Sequence, residues 1–172
     1  MELVEGRVEV GGERFPDAGA FVEALSAVGE EHEVTVQGFD ARYVVSRRHL
    51  ERALELADRE RERGEAIARD RAVEVLLYAA GRRQIDRALA MGVGEGETPV
   101  VVLVDDPDVE AADERVAASA VGELLEPDET LGACDTERVC EFFDIGDAER
   151  EATEAGLEAL VLERVALLVV ER

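Results

Sequence analysis

Side chains suited to binding gather in one stretch of this 172-residue chain. All nineteen cationic side chains are arginine, and twelve of them fall between Arg42 and Arg87, where only nine of the forty-two acidic residues lie. An island of positive surplus therefore sits inside a chain of net charge −23. Its sharpest motif is Gly81-Arg82-Arg83-Gln84-Ile85. Read as a turn between a strand and a short helix, this motif would aim free backbone N–H groups and a positive helix end at one point. Two guanidinium forks there could grip a phosphate through charge-assisted, bidentate hydrogen bonds, and the glutamine could read a base edge. Arg69 and Arg71, just upstream, are candidate flanking contacts. The alternative is that these arginines pair with surface acids such as Asp70, Glu74 and Asp86, at a gain of at most about 1 kcal/mol per pair.

The remaining chemistry-bearing residues point to quieter roles. Gly92-Val93-Gly94-Glu95-Gly96 follows a helix and precedes a strand, the reverse of the order a nucleotide-binding loop requires. Cys134 and Cys140 do not have zinc-ligand spacing, and His32 and His49 are distant in sequence, so the thiols read as small packing residues. The run Asp105-Asp106-Pro107-Asp108 could ligate Mg²⁺, but in so acidic a chain it reads as solvated loop. The serines Ser26, Ser46 and Ser119 sit in no nucleophile elbow. The sequence thus predicts no catalytic residue, no metal site and no cofactor. Arg59 to Arg63 alternates in sign with glutamate, as a solvated helix end does. His49, one turn into a helix after Arg47-Arg48, either orients the island or packs as a structural histidine.

Periodicity supplies the elements that must position these groups. Leu3–Val10 alternates as a strand, and Pro16 opens a helix with Phe21, Val22, Leu25 and Val28 on its apolar positions. Val34–Phe39 reads as a second strand, and Ser46 is placed to cap a helix that stops near Gly64. Ala72–Ala80 reads as a buried strand, and Gln84–Met91 as a short helix with Ile85, Ala88 and Leu89 inward. Pro99–Val104 is the most apolar strand. Helices are expected over Val109–Leu125, Thr136–Phe143 and from Ala148 to about Leu168, the last with a buried apolar end. The fold class is α/β (α+β), a single domain over residues 1–172 with a mixed central sheet of about four strands flanked by helices. Residues 72–104 would form a strand–helix–strand unit with a right-handed crossover.

No apolar run approaches the length of a membrane span and the start of the chain is charged, which predicts a cytoplasmic protein with no signal peptide and reduced thiols. Lysine is absent and acids outnumber arginine more than twofold. Such surfaces suit molar salt, where self-repulsion is screened within about 3 Å. A halophilic archaeal origin is expected, and the overall charge then describes the solvent rather than the partner.

Several segments together resemble a known family. They are Phe39-Asp40-Ala41-Arg42, His49-Leu50 with Ala53 and Ala57, and above all Glu74-Val75-Leu76-Leu77-Tyr78-Ala79-Ala80-Gly81-Arg82-Arg83-Gln84-Ile85. Phe142-Phe143-Asp144-Ile145 and Glu163-Arg164-Val165-Ala166-Leu167-Leu168 agree as well. From about residue 3 to residue 170 the chain resembles the small TPRKB-type subunit of the KEOPS complex, which makes N6-threonylcarbamoyladenosine beside the anticodon of ANN-decoding tRNAs. The resemblance implies a non-catalytic subunit that binds the PRPK-type kinase/ATPase, stimulates it, and captures the single-stranded 3′ CCA end of tRNA. It would assign Arg82, Arg83, Gln84 and Ile85 to the tRNA contact, with Arg69 or Arg71 as flanking phosphate contacts. For the kinase, the C-terminal apolar helix, with Leu160, Arg164 and Leu168, is the expected surface. The chain departs from the family in having no lysine, so every cationic contact falls to arginine. The alternative reading is an interaction adaptor whose island docks on an acidic partner without binding RNA.

Overall fold

The alternating segment near the start of the chain and the valine-rich run in its middle pair as central strands. In the computed structural model, which describes residues 1–108 and 111–171, four strands form one sheet: β1 (Glu2–Val10), β2 (Thr35–Asp40), β3 (Gly96–Asp105) and β4 (Glu126–Pro127). Their order is β2-β3-β1-β4, and every pairing is antiparallel. Val100 to Val104 are fully buried, as a continuous apolar run implies when neither face of a strand meets water. The α/β class with about four strands holds.

The chain divides into two compact units, each built from two separated segments: Met1–Ala41 with Gly92–Thr130, and Arg42–Met91 with Leu131–Arg172. The first unit contains the sheet and two helices, α1 (Ala18–His32) and α5 (Ala111–Gly122). Asp17 rather than Pro16 starts α1, its carboxylate accepting from the Ala20 N–H at 2.8 Å. Phe21 and Leu25 of α1, Ala117 and Val121 of α5, and Val8, Val100, Val102 and Val104 of the sheet share one core. The helix expected from Val109 is described from Ala111; residues 109 and 110 lie outside the described residues.

The second unit is helical and carries the whole arginine island. Its elements are α2 (Arg47–Glu62), α3 (Arg71–Ala80), α4 (Ile85–Ala88) with a 3₁₀ turn at Leu89–Met91, α6 (Thr136–Phe142), α7 (Asp147–Ala152) and α8 (Gly156–Leu167). Two expectations are corrected here. Residues 72–80 form helix rather than strand, so the strand–helix–strand crossover over 72–104 does not exist. Val75 to Ala80 are each at most 3% exposed. So short a continuous run of buried apolar residues cannot be told from a central strand by periodicity. The long helix expected over 148–168 is two helices, because Thr153 is extended and Gly156 is left-handed at φ 80°.

α2 and α3 form an antiparallel hairpin whose connecting loop is tied from below. Glu74, fully buried, accepts hydrogen bonds from the Ile67 and Ala68 N–H groups at 3.1 and 2.6 Å. Arg61 donates to the Ala68 and Arg69 carbonyls at 3.2 and 3.0 Å. At the opposite end, the buried His49 ring lies 2.8 Å from the Ala79 carbonyl and brings the start of α2 against the end of α3. The first turn of α2 is therefore beside the Gly81 turn. Ser46 caps α2 as expected, accepting from the His49 N–H at 3.2 Å while donating to Glu158 of α8 at 2.5 Å.

Candidate binding surface at the Gly81 turn

Gly81 ends α3 in the left-handed region, φ 60° and ψ 33°. The Arg82 N–H donates to the Leu77 carbonyl and the Gly81 N–H to the Tyr78 carbonyl, at 3.0 and 3.1 Å, which together form a Schellman closure. A Cβ at Gly81 would stand 3.2 Å from the Arg164 carbonyl oxygen, so glycine is needed for the backbone angle and for the close passage of α8. This corrects the electrostatic expectation for the turn. The helix ending here presents its negative, carbonyl end, and α4 is a single turn without a side-chain cap. No positive helix end is focused on the turn, and any anion bound here must be held by side chains.

Those side chains divide into two groups. Arg82 is turned inward: one guanidinium nitrogen donates to the Phe142 carbonyl, and Cζ stacks 5.3 Å from the centre of the Phe142 ring. Arg71 makes a two-pronged ion pair with Asp58, at 2.8 and 2.7 Å, and is only 13% exposed. Both hold this unit together. Arg83, Gln84 and Ile85 are exposed, and the Arg83 guanidinium has no hydrogen-bond or ion-pair partner among the described residues. Arg69 is exposed too, but it lies at the other end of α3. Ten residues of helix, about 15 Å, separate it from the Gly81 turn. The structure thus keeps Arg83, Gln84 and Ile85 as one group and sets Arg69 apart.

The same sorting applies to the rest of the island. Arg47, Arg52, Arg59 and Arg63 pair with Glu51, Glu55 and Glu60, and Arg61 grips loop carbonyls. Arg48 and Arg87, which the sequence did not single out, are exposed and unpaired among the described residues, as are Arg69 and Arg83. Arg48 stands in the first turn of α2, so Arg48, Arg83 and Arg87 belong to one end of the hairpin. The short helix also differs from expectation. Ala88 and Met91 point inward, whereas Ile85 and Leu89 are 49% and 58% exposed.

The C-terminal residues expected to face the kinase are structural. Leu160 and Leu168 are 6% and 1% exposed. Arg164 pairs with both carboxylate oxygens of Glu149 at 2.8 and 2.7 Å, and donates to the Phe143 and Asp144 carbonyls at 3.2 Å each. Hydrogen bonding to Glu149 raises the Arg164 pKa, and the same bond lowers that of Glu149. An apolar sequence shows that a helix is buried, not what buries it; here α2 and α3 are its neighbours.

His49 is a packed residue, not a ligand. Its Nε2–H donates to Ala79, Nδ1 accepts from the Val45 N–H at 3.4 Å, and the Phe143 ring lies 5.8 Å away. Burial pushes its pKa down to about 4. Nearby, a cleft of about 460 Å³ is lined by Tyr43, Asp135, Glu137, Arg138, Glu141 and Phe142. Three carboxylates against one arginine give it the wrong sign for a phosphodiester. The cysteines are free thiols, and burial pushes the Cys134 pKa up, which makes it a poor nucleophile. Among the described residues no group of His, Cys, Asp and Glu is arranged to hold a metal, and no helix is long and apolar enough to cross a membrane.

The second unit thus displays exposed arginines and two exposed aliphatic side chains. The family of kinase binding protein CGI-121 matches residues 18–168, and the chain belongs to that family. Curated proteins include no significant match to it. The resemblance drawn from the sequence is therefore met at the level of a kinase-binding family.

Proposed function

We propose that this protein is the tRNA-recruiting adaptor of a KEOPS-type complex, binding a PRPK-type kinase/ATPase and stimulating it. The observation that carries the RNA part is the set of exposed arginines left without an internal partner after the rest of the island is accounted for. Arg83 and Gln84 would contact the 3′ CCA end at the Gly81 turn, and Arg69 would meet a phosphate one helix length away. Arg82 and Arg71 would support that surface from within. An extended single strand is a ligand long enough to reach both ends of α3, and its unpaired base edges suit Gln84. At high salt the counterion-release contribution is small, so short-range guanidinium contacts would carry recognition.

The test compares tRNA with and without its 3′ CCA by fluorescence anisotropy at constant salt. Capture of the CCA end requires a clear loss of affinity for the truncated tRNA; equal affinity refutes it. The second reading, an adaptor that binds no RNA, is favoured by one observation: no aromatic side chain stands in the Gly81–Met91 segment for a base to stack on. It predicts kinase association without measurable tRNA affinity.

A further inference from the structure

The cleft beside α6 is used by neither reading of the function. Its walls are tied together: the Asp135 N–H donates to the Arg42 carbonyl at 2.9 Å, which holds the start of α6 close to Tyr43. The Tyr43 and Phe142 rings meet edge to face, with centres 5.4 Å apart. Each ring already carries a guanidinium of this chain, Arg138 at 5.6 Å from Tyr43 and Arg82 at 5.3 Å from Phe142. The rim, by contrast, has negative charge to spare. Asp135 is engaged as the cap of α6, accepting from the Arg138 N–H at 3.2 Å, and it lies 3.8 Å from the Arg138 side chain. Glu137 and Glu141 are exposed, and their carboxylates have no hydrogen-bond or ion-pair partner among the described residues. They stand four residues apart on α6, where like charges repel, and a cation placed between them would turn that repulsion into attraction.

We infer that this cleft receives an arginine side chain carried on a segment of a protein partner. Its volume of about 460 Å³ falls in the range of ligand sites, with room for one long side chain and the peptide next to it. A guanidinium answers both features of the lining: its plane stacks on aromatic rings, and its fork of N–H groups matches a carboxylate. Lysine would satisfy the charge but neither the ring nor the two-pronged geometry. A nucleobase would find the same rings, but its phosphates would meet Glu137 and Glu141. The net charge of −23 also draws a basic segment toward the protein and repels an acidic one. The cleft is lined by neither Arg83 nor Gln84, so the inference stands or falls apart from the tRNA reading.

The chain itself supplies the reporter. It has two tyrosines and no tryptophan, and Tyr78 is only 2% exposed, so a ligand that changes tyrosine emission reports on Tyr43. The full chain is titrated at constant salt with the blocked peptide acetyl-Gly-Gly-Arg-Gly-Gly-amide and with its lysine and citrulline counterparts. The arginine peptide should give a saturable change, the lysine peptide should bind about threefold more weakly, and neutral citrulline should give none. Glu137→Gln and Glu141→Gln, both at exposed positions, should each weaken the arginine peptide about fivefold without lowering the melting temperature. Glu23→Gln on α1 removes the same charge far from the cleft in sequence and should bind as wild type does. A response that does not saturate, or equal affinity for the arginine and lysine peptides, overturns the inference. Equal losses in Glu23→Gln and Glu141→Gln assign binding to overall charge and overturn it as well. A saturable response to a CCA trinucleotide with the arginine peptide silent gives the cleft to RNA, which also overturns it.

Discussion

Acid should loosen this protein through one imidazole. His49 is held neutral: Nε2–H donates to Ala79 at 2.8 Å, and Nδ1 accepts from the Val45 N–H. Protonating Nδ1 would set two donors against each other in a fully buried site, and Glu158 on α8 only partly offsets that cost. Burial pushes the folded pKa down to about 4 from the ordinary histidine value of 6.5. As pH falls, the unfolded chain therefore takes up the proton first. The neutral-histidine contribution is complete above about pH 6.5 and is lost progressively toward pH 4. Each pKa unit is worth about 1.4 kcal/mol, so the full span amounts to about 3 kcal/mol. Urea denaturation of wild type and His49→Gln between pH 7.5 and 4.5 measures it. Glutamine retains a donor for Ala79 and has no proton to gain, so carboxylate effects common to both proteins cancel in the difference. The variant should be less stable at pH 7.5, and the gap should narrow by about 2.5 kcal/mol by pH 4.5, most of the full span. The chain has only two histidines, so NMR can follow both rings, with His32 as the second signal. A His49 titration midpoint near 6, or a stability gap that does not change with pH, would refute the reasoning.

Four further outcomes follow from the way the arginines and loops are used. Arg83→Glu should weaken tRNA about tenfold without lowering the melting temperature, as expected for one lost charged hydrogen bond, whereas Arg82→Glu should lower the melting temperature by releasing Phe142. Gly81→Ala should cost about 1–2 kcal/mol for a left-handed non-glycine residue, plus the squeeze against the Arg164 carbonyl, seen as a fall of about 5 °C or more in calorimetry. Glu74→Gln removes one of two acceptors for buried loop N–H groups and should cost about 1–3 kcal/mol, with faster tryptic cleavage after Arg63 and Arg69. Arg164→Met should lower the melting temperature at neutral pH, and the difference should shrink as acid protonates Glu149, whose pKa Arg164 holds down; a difference independent of pH would assign the loss to packing alone.

How far the sequence could be read depended on whether an element has two unlike faces. β1 alternates, α1 has a 3.6-residue period, and Ser46 announces α2, so each is legible. α3 is not, because Val75 to Ala80 is a continuous buried apolar run with no polar position inside it to set a period. Its true signals were at its ends: Asp70 accepts from the Val73 N–H at 3.0 Å as N-cap, and Gly81 follows in the left-handed position. The break between α7 and α8 had only Gly156 to mark it. At the candidate surface, apolarity was read as burial for Ile85 and Leu89, and apolarity as interface for Leu160 and Leu168. In both cases the side chain type was informative and its surroundings were not. Nor does charge in sequence tell which arginine is spent. Arg82 and Arg83 are neighbours, yet one stacks on Phe142 and the other faces solvent.

That division shows what arginine does here that a generic cation could not. Arg61 and Arg82 of the island, and Arg164 outside it, each donate to one or more backbone carbonyls in a loop or at a helix end. Arg164 does so while also engaging Glu149 with two prongs. A guanidinium holds several acceptors in one plane, and Arg82 adds a stacking face; an ammonium is a point charge on a flexible stem and does neither. These internal arginines bind carbonyls and rings at short range, so screening by salt weakens them less than it weakens exposed ion pairs. The island thus has two layers: arginines that brace the hairpin and the turn, and the exposed Arg48, Arg69, Arg83 and Arg87 that the braced surface presents. Charge reversal in the first layer should act through stability, and in the second through binding.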